Sequence, residues 1–237
     1  TAAVALARRG ARVRVLEQAP GLGEVGAGIQ ISQNGMVVLR ALGVVDAVPE
    51  GAVRSEGVEL HDGPSGRLVT RLRPPAAGPT WYFHRADLLA LLVRAAEASG
   101  VTVKTGAQAV SVAASGGAAV VRLSGGGAEE TACLIGADGV RGVTRAHVAG
   151  AGEPVFSGQV AWRAVVPWDG KGASCAVLGM APGRHVVTYP LRGGRAMNLV
   201  AVEERDDWRA ESWRQAGEAA ELRGRFAGFE GGAGEVL

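Results

Sequence analysis

TAAVALARRGARVRVLEQ, residues 1–18, is the stretch on which the fold turns. Residues 1–9 are alanine-rich with apolar side chains at helical spacing, and Gly10 stands where such a helix would stop. Residues 12–16, RVRVL, alternate as a strand does, and the strand ends on Glu17. Helix, glycine, strand and terminal acid form the back half of a βαβ nucleotide-binding unit, where a carboxylate at the strand end can accept hydrogen bonds from both ribose hydroxyls of an adenosine. A surface acid after a strand has the same appearance, so Glu17 alone leaves both readings open. The strand and glycine-rich turn that would complete the unit are missing, and the opening on Thr1 reads as the middle of a helix.

Outward from this stretch, GLGEVGAGIQIS (21–32) is glycine-rich and turn-like. Gly26 and Gly28 imitate the start of G-x-G-x-x-G, but they follow the acidic strand end instead of preceding it, and no third glycine falls at the right spacing. A loop that lets the backbone approach a flat ligand, or a plain flexible turn, fits better. A helix is expected from about Asn34 to Leu42, capped by Ser32 or Asn34. VELHD and RLVTRLR, within 52–73, flank PSG as a hairpin. HRADLLALLVRAAEAS (84–99) is the clearest helix, with Leu88, Leu89, Leu92, Val93 and Ala96 on one face.

Strands are expected at 101–105, 109–113 and 119–124, and TACLIGADG (131–139) reads as an apolar strand entering a glycine turn. From Val155 the β runs lengthen, and 206–229 reads as a helix offering Trp208, Trp213, Leu222, Phe226 and Phe229 to a core. The fold class is therefore α/β: a Rossmann-like domain over 1–150, carrying a hairpin at about 52–80, then a β-sheet-rich domain over 151–237 that opens a helical region. Both are expected to be incomplete.

A formal charge of +2 at pH 7, with no like-charge block and no basic stripe, argues against nucleic acid. No apolar run approaches membrane-spanning length. Cys133 and Cys175 lie far apart without metal or redox spacing, which suggests free thiols in a reducing cytoplasm. The histidines lack metal-ligand spacing, so no metal is expected.

Two further groups carry chemistry. In GADGVRGVTR (136–145) two glycines flank Asp138, leaving its carboxylate on a tight turn beside Arg141 and Arg145; an Asx-type turn bond is the plain alternative. In HVVTY (185–189) His185 and Tyr189 are four apart, so on a strand they share a face with Val187. Imidazole suits proton transfer near neutral pH and a phenol can orient or relay the proton, while a His–Tyr pair satisfying hydrogen bonds on a sheet is the structural alternative.

LEQ (16–18), EVGAGIQISQN (24–34), HRADL (84–88) and GADGVRGVTR (136–145), continued by FSGQVAWRAVVP (156–167) and HVVTYPLRGGRAMNLVAV (185–202), together resemble the FAD-dependent aromatic-ring monooxygenases. The likeness is to the salicylate, hydroxybenzoate and 6-hydroxynicotinate hydroxylases, and it spans nearly the whole chain. It implies that Glu17 and Gln18 hold the adenosine ribose of FAD, that Gln30 lies against the flavin, that Arg85 hydrogen-bonds the cofactor, and that Ala109 meets the adenine through its backbone. It makes Asp138 the acid of a motif that serves both FAD and the nicotinamide nucleotide, although Gly142 stands where that motif often has serine. It makes His185, assisted by Tyr189, the base that removes a phenolic proton.

The implied reaction hydroxylates a phenolic or N-heteroaromatic carboxylate with dioxygen through a flavin hydroperoxide, using NADH or NADPH. Alternatives are a same-fold tailoring oxygenase acting on a polyketide, a fragment that binds FAD poorly, and an ordinary NAD dehydrogenase, the last disfavoured by the flavin motifs after Glu17. A homodimer is one of the assemblies left open.

Overall fold

The computed structural model describes residues 1–23, 27–46, 48–150, 152–170, 172–207 and 216–237. In chain order the first elements are α1 (Ala2–Ala7), β1 (Arg14–Leu16), β2 (Gly28–Ile31), α2 (Gln33–Ala41), β3 (Val53–Arg54), β4 (Gly57–Asp62), β5 (Leu68–Leu72), β6 (Trp81–His84) and α3 (Arg85–Ala98). There follow β7 (Thr102–Lys104), β8 (Ala109–Ser115), β9 (Ala118–Leu123), β10 (Ala128–Thr131), α4 (Val143–Ala149), β11 (Gln159–Pro167), β12 (Cys175–Ala181), β13 (Arg184–Leu191), β14 (Ala196–Glu204), α5 (Ala219–Arg225) and α6 (Gly231–Gly234). Among the described residues, no helix is long and apolar enough to cross a membrane.

The chain divides into two compact units, Thr1–Leu22 with Ala96–Ser157, and Gly23–Ala95 with Gly158–Leu237. In the first, α1 ends at Ala7, the turn that follows reaches Gly10 at φ +87°, and the chain returns as β1. β1 pairs in parallel with β7, Val15 opposite Val103. β8, β9 and β10 form an antiparallel meander joined by glycine turns.

The second unit is built on a six-stranded sheet in the order β11-β14-β13-β12-β4-β5, with β12 and β4 parallel and the other pairs antiparallel. Alternation along β13 and β14 sends Val186, Leu199 and Ala201 to one face, where Leu222, Phe226, Phe229 and Ala233 of the C-terminal segment cover them. Each such large side chain taken from water contributes about 1.5–3 kcal/mol. Glu203 lies within this layer, accepting hydrogen bonds from Trp162 Nε1 and Arg225 at 3.1 Å each, with Arg205 3.5 Å away. The alternation places His185, Val187 and Tyr189 on the opposite face. A three-stranded sheet, β2-β6-β3, and the helix α2 complete the unit around Met36, Leu39, Phe83 and Leu88.

The hairpin expected at 52–73 is β4–β5, and the helix expected at 84–99 is α3. Three expectations need correction. Residues 28–31, expected as part of a glycine-rich loop, are a strand, because they find WYFH of β6 as a ladder partner far away in sequence. Residues 132–138 are irregular, since a strand needs a partner and this segment joins no ladder among the described residues; Ile135 is half exposed. The C-terminal segment does not form one helix over 206–229: residues 216–218 are non-helical, and α5 is seven residues long. Its Leu222, Phe226 and Phe229 do enter the core, whereas Trp208 and Trp213 lie outside the described residues.

Candidate functional site

The first unit carries Glu17, Gln18, Ala109 and Asp138. Glu17 leaves the end of β1 with its backbone still in register, donating to Lys104 O and accepting from Ala107 N–H at 2.9 and 2.8 Å. One carboxylate oxygen accepts the Ala19 N–H at 2.7 Å, which fixes the side chain's direction; the other has no partner among the described residues. That leaves a half-buried acid, rigidly aimed and with acceptor capacity to spare, as binding a pair of hydroxyls requires. Gln18 follows on the exposed side of the turn, and Ala109 opens β8 two residues after the backbone bond between Ala107 and Glu17. The fold thus brings Glu17 next to the segment that leads to Ala109.

Asp138 is exposed and is folded back onto the start of α4. It accepts the Thr144 N–H at 2.9 Å and the Thr144 hydroxyl. Burial works against its charge, but the bonds from Thr144 outweigh it and hold the carboxyl below its ordinary range. Gly142 makes this possible: a Cβ there would lie 2.0 Å from the Asp138 carboxylate. In this chain the acid and the missing serine are one feature, because a side chain at 142 would occupy the space the carboxylate takes.

The second unit carries Gln30, Arg85, His185 and Tyr189. β2 and β6 run antiparallel with Gly28 opposite His84 and Gln30 opposite Tyr82, and Arg85 N–H donates to Ala27 O at 2.9 Å. The strand holding Gln30 and the helix start holding Arg85 are thereby adjacent, with the Gln30 side chain exposed. The tip of the β13–β14 hairpin also reaches this helix: Arg192, at φ +51°, makes a two-pronged bond to the Asp87 carboxylate at 3.1 Å per contact.

Tyr189 is buried against Tyr82, with ring centroids 4.9 Å apart, and against the backbone of Gly28. Burial pushes its phenol up to about 12, despite the opposing charge of Arg163. It is therefore a neutral O–H donor throughout the physiological range. His185, four residues earlier, lines a shallow cavity of about 300 Å³ with Gln159, Met180, Val202 and Glu204. Four residues of strand span roughly 13 Å, so His185 and Tyr189 share a face without touching each other. They could act on one molecule only if it lay along Val187 between them.

Two residues on this face escaped sequence reasoning. Arg163 of β11 stands opposite Val200, itself opposite Val187, so it occupies the rung between His185 and Tyr189. Asn198, opposite Tyr189, is buried and accepts the Gly28 N–H at 2.7 Å. Strand alternation could have put Arg163 on a face with its neighbours on β11, but the pairing through β14 that sets it level with Val187 of β13 is not local. Two further histidines have structural partners: His61 bonds Glu59 and Gly66 O, and His84 is buried with Nδ1 accepting the Ala86 N–H.

Comparison with known proteins finds a match to the family described as FAD binding domain over residues 1–221. The chain is 37% identical over 217 residues to 3-hydroxybenzoate 6-hydroxylase of Polaromonas naphthalenivorans (strain CJ2), covering 85% of this chain and 53% of the relative. It is 33% identical over 212 residues to 3-amino-4-hydroxybenzoate 2-monooxygenase of Streptomyces cremeus, covering 85% and 53%. Among solved structures, Klebsiella pneumoniae HpxO complexed with FAD superposes with a TM-score of 0.82 at 22% identity, over 99% of this chain and 61% of that one. The chain spans about half the length of the curated relatives it matches.

Proposed function

The chain belongs to the FAD-binding-domain family that includes the aromatic-ring hydroxylases, and from that premise we propose that it acts in the NADH- or NADPH-dependent hydroxylation of a phenolic or N-heteroaromatic carboxylate. The observation that carries the reading is the sheet face opposite the helical layer, where half-buried His185 and buried, neutral Tyr189 flank Val187 on β13 and Arg163 of β11 stands level with Val187 two strands away.

The residues fit FAD by the chemistry of their donors and acceptors. Glu17 offers a fixed carboxylate to the ribose hydroxyls, with Gln18 beside it, and Ala109 offers its backbone to the adenine. Gln30 and Arg85 project from adjacent elements and would meet the ring system and the phosphate or ribose oxygens, while Asp138 serves the nucleotide from its turn. FAD, when bound, supplies the activation of dioxygen that no side chain can supply.

The rest falls to side chains of the second unit. An aromatic acid lying along Val187 has His185 at one end and Tyr189 at the other. His185 accepts the phenolic proton at an imidazole nitrogen, which raises electron density in the ring. Tyr189 keeps its own proton and donates a hydrogen bond, orienting the ring and not relaying charge. Arg163 holds the carboxylate by charge-assisted hydrogen bonding.

The test titrates the purified chain with FAD and then measures NAD(P)H oxidation and hydroxylated product over a panel of hydroxybenzoates and hydroxynicotinates. Replacing His185 with Phe is expected to lower product formation about a hundredfold or more, with FAD affinity nearly unchanged. Equal loss of both would remove the base from His185, and a parent chain that takes up no FAD would remove the reading as a whole.

A further inference from the structure

Asn198 sits at the centre of β14, only 2% exposed, on the sheet face it shares with its cross-strand partner Tyr189. Its carboxamide orientation is settled by its partner: the Gly28 N–H needs an acceptor, so Oδ1 faces Gly28 and Nδ2 points away. Among the described residues, Nδ2 of Asn198 is the one buried side-chain polar atom without a hydrogen-bond partner. A buried unpaired donor is destabilising, and an apolar side chain of similar volume would avoid it. Asparagine at this position is thus a poor choice for stability alone.

What the carboxamide achieves is a tie between two sheets. Gly28 begins β2, two residues before Gln30; Asn198 is the cross-strand partner of Tyr189. A Cβ at Gly28 would lie 2.9 Å from Asn198 Cγ and 2.6 Å from the Tyr189 ring, so the backbone of β2 rests directly on both side chains. We propose that Asn198 is a positioning residue that ties the strand carrying Gln30 to the strand pair carrying His185 and Tyr189, holding the cofactor-facing and substrate-facing elements of this unit in one fixed register. The proposal rests on the reading of Gln30 as facing the flavin. Without the tie, β2 is still paired to β6, but its approach to β13 is set by packing alone.

The experiment compares the parent with Asn198→Leu, which keeps the branched heavy-atom shape and removes the acceptor, and Asn198→Asp, which keeps an acceptor for Gly28. Amide exchange at Gly28 is measured on the FAD-free chain, and FAD affinity and the visible flavin spectrum on the loaded one. Asn198→Leu is expected to speed Gly28 exchange about tenfold, weaken FAD roughly three- to tenfold and shift the flavin spectrum. Asn198→Asp is expected to restore Gly28 protection, whatever its melting temperature. The proposal is overturned if Asn198→Leu leaves Gly28 protection and FAD affinity intact. It is also overturned if both variants lose protection in step with a global fall in melting temperature. A parent chain that bound no FAD would defeat the functional reading, while the exchange measurement would still judge the tie.

Discussion

Gly28 lies so close to Tyr189 that a single added carbon at Gly28 would stand 2.6 Å from the tyrosine ring and 2.7 Å from its hydroxyl oxygen. The contact explains a glycine that sequence reasoning linked to close approach by a flat ligand. The flat group that lies against it is the protein's own phenol, and through that contact β2 is seated on β13.

Gly28→Ala is therefore expected to destabilise the fold. Tyr189 is buried and packed at a tilt against Tyr82, so its ring has little room to retreat, and overpacking of this kind costs about 1–3 kcal/mol. Urea unfolding checks this; an unchanged midpoint would mean that Tyr189 moves aside freely.

The chain has two tyrosines, and burial raises the phenol of each above its ordinary value. Both are neutral acids favoured in the protonated form by folding. The stability this contributes is complete below about pH 10, the unfolded value, and is lost as pH climbs towards the folded value of Tyr189, about 12. An ultraviolet titration of the folded chain should show no tyrosinate near pH 10, and tyrosinate should appear at higher pH together with unfolding. An early tyrosinate step in the folded chain would contradict the burial of one ring.

Glu203 binds Trp162 and Arg225 beneath the helical layer, with Arg205, itself nearly buried, beside it. Removing the carboxylate leaves the indole N–H without an acceptor and takes one of two carboxylates from Arg225, while Arg205 keeps its two-pronged bond to Asp207. Glu203→Ala is expected to cost about 1–3 kcal/mol, read from denaturant unfolding. A loss near zero would show that water replaces the carboxylate.

Gly142→Ser restores the residue often found in the Asp138 motif but puts a Cβ into the space of the Asp138 carboxylate. The bonds to Thr144 should break, costing about 1 kcal/mol of capping at the start of α4. Because Asp138 is held below its ordinary value, the lost stability is the part present above about pH 4 and absent in stronger acid. Melting temperatures of parent and variant should differ at pH 7 and converge at low pH. A difference that persists in acid would point to strain in place of lost capping.

Elements whose signal is local were legible in the amino-acid sequence. Gly10 ends a helix, RVRVL alternates into a strand that stops at Glu17, HRADL opens an amphipathic helix, and PSG closes a hairpin; each follows from the conformations of a few consecutive residues. The order of those motifs was enough to indicate the family. Tertiary structure decided whatever depends on a partner distant in sequence. Residues 28–31 became a strand because β6 was there to pair with them, and 132–138 joined no ladder among the described residues. His185 and Tyr189 were legible as sharing a face, because alternation is local. That Tyr189 would be buried beneath Gly28, that Arg163 would stand level with Val187 two strands away, and that Asn198 would reach across to β2 were not. Those relationships arise from strand order and register, which the burial of side chains across the whole sheet selects and no single segment encodes.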